Sequence, residues 1–230
     1  MTLRGEIGED GQGRTNPIRQ PMLVAGTLIG VAGIGLQFHF MMQVPELSTT
    51  EAVARFFSYF TILTNLLVLM GYAFPLLAPG SSIGKFFSRA PMRGATLVYI
   101  VMVGVVYSLL LRNLYHPAGW AKAADVLVHD AAPVYYAVFW FLCAEKSGLR
   151  PSHAAQWLLY PLAYIVYTLL RGVVTDWYPY PFVDVRVLGY SRTFIHAGVL
   201  ALVFLIAGLG VVAAARWLSA RRAAAEQAGA

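Results

Sequence analysis

The sequence predicts an all-α fold, a polytopic membrane bundle of six transmembrane helices with both termini in the cytoplasm. Hydrophobic residues make up 58% of the 230 residues and charged residues only 12%, whereas a soluble domain carries roughly 25% charged residues. Six apolar segments each approach the roughly 20 residues that cross a bilayer. The distribution of Lys and Arg is the third observation, because it assigns the two sides of the membrane.

The six apolar segments are the predicted spans, and they lie near 21–42, 54–78, 94–114, 123–144, 154–175 and 193–217. The first is about as long as a span, so it predicts an uncleaved signal-anchor. The second and fourth are interrupted by polar residues, the third is apolar throughout, and the fifth ends in Arg171, Thr175 and Asp176. Glycines in the first and sixth segments suit close helix contacts in lipid.

The charged residues predict the orientation and the ends of the chain. With both termini inside, eleven of the seventeen Lys and Arg lie in inner segments, which is the bias of cytoplasmic loops. We therefore expect a polar cytoplasmic tail at 1–20, a transmembrane domain at 21–217 and a short cytoplasmic tail at 218–230, disordered from position 221. The net charge of +6 fits an anionic leaflet better than a nucleic acid. The predicted location is the cell membrane, with membrane lipids as partners.

The histidines and the cysteine give no indication of a metal site. A single cysteine, Cys143, excludes an internal disulfide and any multi-cysteine metal or iron–sulfur site. The histidines lack the paired spacing of zinc motifs such as H-E-x-x-H. We therefore expect neither a metal nor a cofactor.

Polar residues are predicted to gather in one layer of the outer half of the bilayer, while the inner half is nearly all apolar. In the second segment, Ser58, Thr61, Thr64 and Asn65 follow spacings of three and four, which place them on one helical face. If the helices start where the apolar segments start, Thr61 and His129 both lie about 10 Å below the outer end. Polar groups at that depth need partners or a function.

Asp125 and His129 form the strongest candidate pair. They are four residues apart on one helical face, so the carboxylate can hold one imidazole nitrogen and leave the other for chemistry. Such a histidine can act as a general base for a hydroxyl nucleophile, and Thr61 lies at matching depth. The alternative is a helix lock. For Thr61 itself, the alternative is a hydrogen bond back to its own helix.

Five further residues are candidates for binding a substrate. Arg171 is suited to hold a carboxylate head group, or it neutralises a nearby acid and reaches the interface. Asn113 or Asn65 would stabilise an oxyanion, although Asn65 is equally suited to bond across to another helix. Tyr167 and Tyr180 belong to the same outer layer, Tyr180 in an aromatic, proline-stiffened loop that predicts an interfacial belt or a lid.

That loop carries a family resemblance. Tyr178-Pro179-Tyr180-Pro181-Phe182-Val183-Asp184 resembles the aromatic-x-Tyr-Pro-Phe-aliphatic-acidic signature of the androgen-induced-protein family. The segment from Tyr59 to Leu63 resembles the family's nucleophile segment, and His129 with Pro133 resembles its catalytic-histidine segment, here with the proline one residue closer. The resemblance spans roughly residues 50 to 190.

The resemblance implies hydrolysis of fatty-acid esters within the membrane, with Thr61 as the nucleophile, His129 as the base and Asp125 or Asp130 orienting the imidazole. Thr64, one turn from Thr61, is a rival nucleophile. The residues by themselves also allow two other hypotheses. One is a lipid- or small-molecule-binding protein or carrier, and the other is a structural subunit whose polar residues lock its helices.

Overall fold

The computed structural model of the chain describes residues 16–228, and it is helical almost throughout. Most of the predicted N-terminal tail, residues 1–15, lies outside the described residues, as do residues 229 and 230. The helices are α1 (Arg19–Met41), α2 (Thr49–Phe56), α3 (Phe60–Leu77), α4 (Ser82–Ser88), α5 (Ala90–Val106), α6 (Gly119–Val126), α7 (Ala132–Cys143), α8 (Pro151–Trp157), α9 (Leu159–Thr175) and α10 (Val185–Ala228). A first π-turn, Tyr107–Leu111, extends α5, a second π-turn, Leu127–Ala131, joins α6 to α7, and a short 3-10 turn spans Pro181–Val183.

Six helical stretches within residues 16–228 are long and apolar enough to cross a membrane, so the prediction of a six-helix membrane bundle is confirmed. They are Arg19–Met41, Phe60–Leu77, Ala90–Leu111, Gly119–Cys143, Pro151–Thr175 and Val185–Ala225. An even number of crossings puts both ends of the bundle on one face. We call this the inner face from its excess of Lys and Arg. The opposite, outer face holds 42–59, 112–118 and 176–184.

The second span begins later than predicted, which changes the position of its polar residues. Helix α2 ends at Phe56 and α3 starts at Phe60, because Ser58 closes α2 by donating from its hydroxyl to the Ala54 carbonyl at 2.6 Å. The prediction that Ser58 shares a helical face with Thr61 was therefore wrong. Thr61 lies in the first turn of α3, not 10 Å below the start of a helix.

The ends of the fourth and sixth spans also differ from the prediction. The fourth span begins at Gly119, before the predicted start at 123. Helix α10 begins at Val185, bends at Gly189, whose φ is 70°, and continues to Ala228. The predicted disorder after position 221 was therefore wrong for residues 221–228, which are helical. Ala-rich sequence with Arg at the inner end extends the last helix beyond the apolar segment.

Two cations of the predicted inner segments are buried at the inner ends of the helices and are not exposed at the surface. Arg93 is 2% exposed, and its Nε donates to the Phe87 carbonyl at 3.2 Å. Lys146 is 4% exposed; its Nζ donates to the Ala144 carbonyl at 2.8 Å and lies 5.0 Å from the Trp140 ring. Backbone carbonyls at helix ends and the faces of aromatic rings thus contact these two cations, which their hydropathy alone would place at the surface.

Lys146 should give the fold a measurable pH dependence. Burial lowers the pKa of Lys146 to about 8 from its ordinary 10.5, so between these values the unfolded chain binds the proton more often than the folded chain does. Stability should therefore rise as the pH increases from 8 to 10.5. Lys146→Met should remove this rise in thermal unfolding measured in detergent. The control is the exposed Lys85→Met, which should leave the rise intact, and an unchanged slope in Lys146→Met would contradict the assignment.

Close packing of α1 on α3 depends on Gly26. A Cβ at Gly26 would lie 2.6 Å from the Tyr72 ring, whereas nothing lies within 4 Å of a Cβ at Gly35 on the same helix. Gly26→Val should therefore destabilise the protein by about 1–3 kcal/mol, the usual cost of overpacking. Gly35→Val is the matched control, and unfolding of both variants in the same detergent is the measurement. Equal stability of the two would show that α1 can shift away from Tyr72.

Candidate functional site

A cavity of about 80 Å³ lies between α3, α5, α9 and α10 and is closed on one side by the 3-10 turn. Its walls are mainly apolar, with side chains such as Phe60, Met102, Ile165, Leu200 and Phe204. Four hydroxyl-bearing side chains also line it: Thr61, Tyr107, Tyr164 and Tyr180. The cavity is thus suited to a short apolar segment that carries a polar group near one end.

Thr61 and Tyr180 meet at the wall of this cavity. The backbone N–H of Thr61 donates to the Tyr180 hydroxyl at 3.3 Å, and the Thr61 Oγ1 lies 3.4 Å from the same hydroxyl. Tyr59, the residue that precedes α3, gives no side-chain cap, so Tyr180 from the aromatic loop takes that role. Burial raises the pKa of Tyr180 to about 12. The phenol therefore stays protonated at neutral pH and can donate a hydrogen bond but not accept a proton.

Hydroxyl groups of α9 hold that helix against α3 and the turn before it. The Tyr164 hydroxyl donates to the Ser58 carbonyl at 2.8 Å, and the Tyr167 hydroxyl lies 2.9 Å from the Ser58 Oγ. Thr64 is fully buried with its Oγ1 3.2 Å from the Tyr160 hydroxyl. Of the two rival threonines, the structure therefore brings Thr61 to the cavity and engages Thr64 in packing.

Asp125 and His129 form a second polar cluster where the two π-turns meet. Asp125 is 3% exposed, and its Oδ1 lies 3.0 Å from the His129 Nδ1, as their spacing predicts. Its Oδ2 accepts from the Tyr107 hydroxyl at 2.7 Å and from the Lys122 Nζ at 2.9 Å. The His129 ring stacks on Tyr107 with centroids 3.8 Å apart and an interplanar angle of 11°. Because Nδ1 faces a carboxylate, it carries the proton, and Nε2 is left as an acceptor.

The second π-turn places His129, and Pro133 explains why it forms. Proline has no N–H and its ring collides with the carbonyl four residues earlier, here that of His129. The helix widens instead, and the Ala132 N–H bonds to the Leu127 carbonyl. Gly104 of α5 leaves room beside this turn, since a Cβ there would lie 3.2 Å from both the His129 carbonyl oxygen and Pro133. π-turns of this kind are frequent at functional sites.

Thr61 and His129 are not joined by a hydrogen bond. Thr61 lines the cavity, whereas His129 lines a separate groove on the surface of the bundle. Tyr107 connects the two, because it lines the cavity and also stacks on His129. The predicted nucleophile and base therefore do not contact each other directly, but Tyr107 lies next to both.

Of the five predicted substrate-binding residues, only Tyr180 lines the cavity. Asn65 is 1% exposed and donates to the carbonyls of Thr61 at 2.9 Å and Val128 at 3.2 Å, so it locks α3 to the second π-turn. Tyr167 contacts Ser58, as described above, and Asn113 is exposed beyond the first π-turn.

Arg171 has a partner that the sequence did not indicate. Its Nη2 lies 3.4 Å from Glu51 Oε1, and its guanidinium lies 4.8 Å from the Trp177 ring. The Arg55 Nε donates to the same Glu51 oxygen at 2.7 Å and lowers the pKa of Glu51, with a smaller contribution from Arg171. These residues fasten the aromatic loop to α2.

Tyr180→Phe should destabilise the protein, because it removes the only described partner of the Thr61 N–H. A buried amide left without an acceptor costs about 1–3 kcal/mol. Tyr190→Phe is the matched control, since Tyr190 is 55% exposed on the same outer face. Both variants would be compared with the wild type by thermal unfolding in detergent. A Tyr180→Phe protein as stable as the control would show that this contact does not contribute to stability.

Comparison with known proteins gives the chain no family. No family model, no curated protein and no solved structure matches it. The resemblance of the aromatic loop to the androgen-induced-protein family stays a prediction. What is established is a multi-pass membrane protein whose outer half holds an apolar cavity edged with hydroxyl groups.

Proposed function

We propose that this protein takes up the acyl chain of a fatty-acid ester in the outer cavity and hydrolyses the ester with Thr61 as the nucleophile. The observation that carries the proposal is the Thr61 hydroxyl in the wall of a mainly apolar cavity, beside the protonated phenol of Tyr180. The cavity lies within the spans, so a lipid ester from the cell membrane would reach it without passing through water.

The chemistry assigns a role to each group. The Thr61 Oγ attacks the ester carbonyl, its proton passes to Nε2 of His129, and the alcohol leaves with that proton. Water then attacks the acyl-threonine, His129 accepts the water proton, and the Thr61 hydroxyl is restored as the fatty acid leaves. Asp125 keeps the Nδ1 proton of His129 in place. Tyr180 replaces the two predicted asparagines as the donor for the oxyanion, because it alone of the three lines the cavity.

This mechanism requires Thr61 and His129 to approach within about 3 Å when the ester binds. Tyr107 is the side chain that must adjust, since it contacts the His129 ring and lines the cavity. The absence of a Thr61–His129 hydrogen bond favours a second candidate function, which is binding of the acyl chain without hydrolysis.

Hydrolysis is tested by labelling purified protein with an alkyl fluorophosphonate probe. We expect Thr61→Ala and His129→Ala to lose at least tenfold in labelling rate, since each removes one half of the nucleophile–base pair. Thr64→Ala is the matched control, because Thr64 lies one turn away, outside the cavity lining. Wild-type labelling in both variants would refute the proposed mechanism.

Binding is tested separately with a fluorescent fatty-acid ester. Ala201→Phe places a ring in the cavity lining and should weaken binding several-fold, whereas Leu202→Phe, at a position 57% exposed to lipid, should not. Binding that disappears in Ala201→Phe, together with no labelling of the wild type, would select the non-enzymatic function. If both variants bind the ester equally well, the cavity is not the binding site, and both candidate functions would lose their structural basis.

A further inference from the structure

A second apolar depression, a groove of about 490 Å³, runs between α5 and α7 on the surface that faces the bilayer. Leu109 and Val134 form its rim and are 76% and 65% exposed. Gly104 and Pro133 both line it, and because Gly104 has no side chain, α5 packs closely against Pro133 at the floor of the groove. Neither the predicted site nor the proposed reaction assigns an occupant to this groove.

The lining of the groove is polar at its outer end and apolar toward the centre of the bilayer. A lipid of the outer leaflet has the same polarity gradient, from its head group to its acyl chain. Ser108, His129 and Asp130 line its outer part, whereas Val101 and Ala137 line its inner part. Ser108 lies four residues before Arg112, at the outer end of the span, which puts it about 6 Å below that end. From Ser108 to Val101 the groove continues for about 10 Å. A single acyl chain with its polar group outward matches this gradient.

The polar end of the groove offers hydrogen-bond acceptors, and among the described residues the nearby cation, Arg112, is already paired. The Arg112 guanidinium is held by both oxygens of Asp130 and by Ser108 Oγ at 3.0 Å, and it lies over the Tyr107 ring at 4.8 Å. Nε2 of His129 has no hydrogen-bond partner among the described residues, whereas Nδ1 lies 3.0 Å from the Asp125 carboxylate. The neutral imidazole therefore favours its proton on Nδ1 and offers Nε2 as an acceptor. A ligand hydroxyl can donate to Nε2. A carboxylate or phosphate would instead lie next to the Asp130 carboxylate and would have to compete with it for Arg112.

We propose that the groove binds a neutral single-chain lipid with a free hydroxyl, of the chemical class of a monoacylglycerol. The hydroxyl donates to Nε2 of His129, and the acyl chain lies against the aliphatic wall from Leu109 to Val101. This site lies outside the cavity of Thr61 but shares Nε2 of His129 with the proposed reaction, and its occupancy does not depend on hydrolysis.

The test uses the full-length protein in nanodiscs and a monoacylglycerol with a diazirine in its acyl chain. After photolysis, mass spectrometry should find the label on the α5 and α7 residues of the groove. Labelling there should exceed by at least fivefold that of the matched probe whose two hydroxyls are methyl ethers, because the ether keeps the chain but cannot donate. A diazirine fatty acid should label the groove as weakly as the ether.

Two variants keep the result interpretable. Val134→Trp fills the groove from its exposed rim and should remove the preferential labelling. Val138→Trp, one turn further on the same helix, 44% exposed and outside the groove lining, should leave it unchanged. Equal labelling by the hydroxyl and ether probes would mean ordinary annular lipid and would overturn the proposal. So would labelling that persists in Val134→Trp, or crosslinks between two copies of the chain across the groove. A protein that fails the fluorophosphonate test can still pass this one.

Discussion

The outer half of the bundle depends on the burial of one carboxylate. Asp125 is nearly inaccessible, and an uncompensated charge at such a position would be strongly destabilising. Three donors compensate it, from the first π-turn, from α6 and from the second π-turn. Lys122 and His129 belong to the same span as Asp125, whereas Tyr107 belongs to the third, so the bond from Tyr107 fixes the third span against the fourth. The stack of Tyr107 on His129 is a consequence, since both side chains must reach the same carboxylate.

The aromatic loop completes the site by a similar principle. The first turn of α3 has backbone N–H groups without intrahelical partners, and Tyr180 provides an acceptor for that of Thr61. The loop is held in part through Trp177, which lies against two arginines, Arg55 and Arg171, each 4.8 Å from its ring. Glu51 keeps both guanidinium groups in place. Cation–aromatic contacts at the surface thus determine the position of a hydroxyl at the wall of the cavity.

Hydropathy was sufficient to predict the six spans, since each span must bury about the same length of apolar chain in lipid. It could not predict the break at Ser58 or the two π-turns, because a window average does not detect a side chain that closes a helix or a proline that widens one. The i, i+4 rule was sufficient for Asp125 and His129. Lys122, three residues before Asp125, was detectable by the same rule and was missed. Tyr107 was not detectable, because its contact depends on the register between two helices.

The same constraint explains why the outer half has two apolar depressions and not one. Tyr107 directs its hydroxyl to Asp125, so its ring lies between the lining of the cavity and the His129 ring, and Thr61 and His129 face different spaces. Any movement that joins them must displace Tyr107 and thereby remove one of the three donors of Asp125. Lys122 and His129 would then hold the carboxylate alone. Joining the cavity to the groove therefore costs a hydrogen bond to Asp125. A ligand that joins them must offset this loss through its own contacts with the cavity.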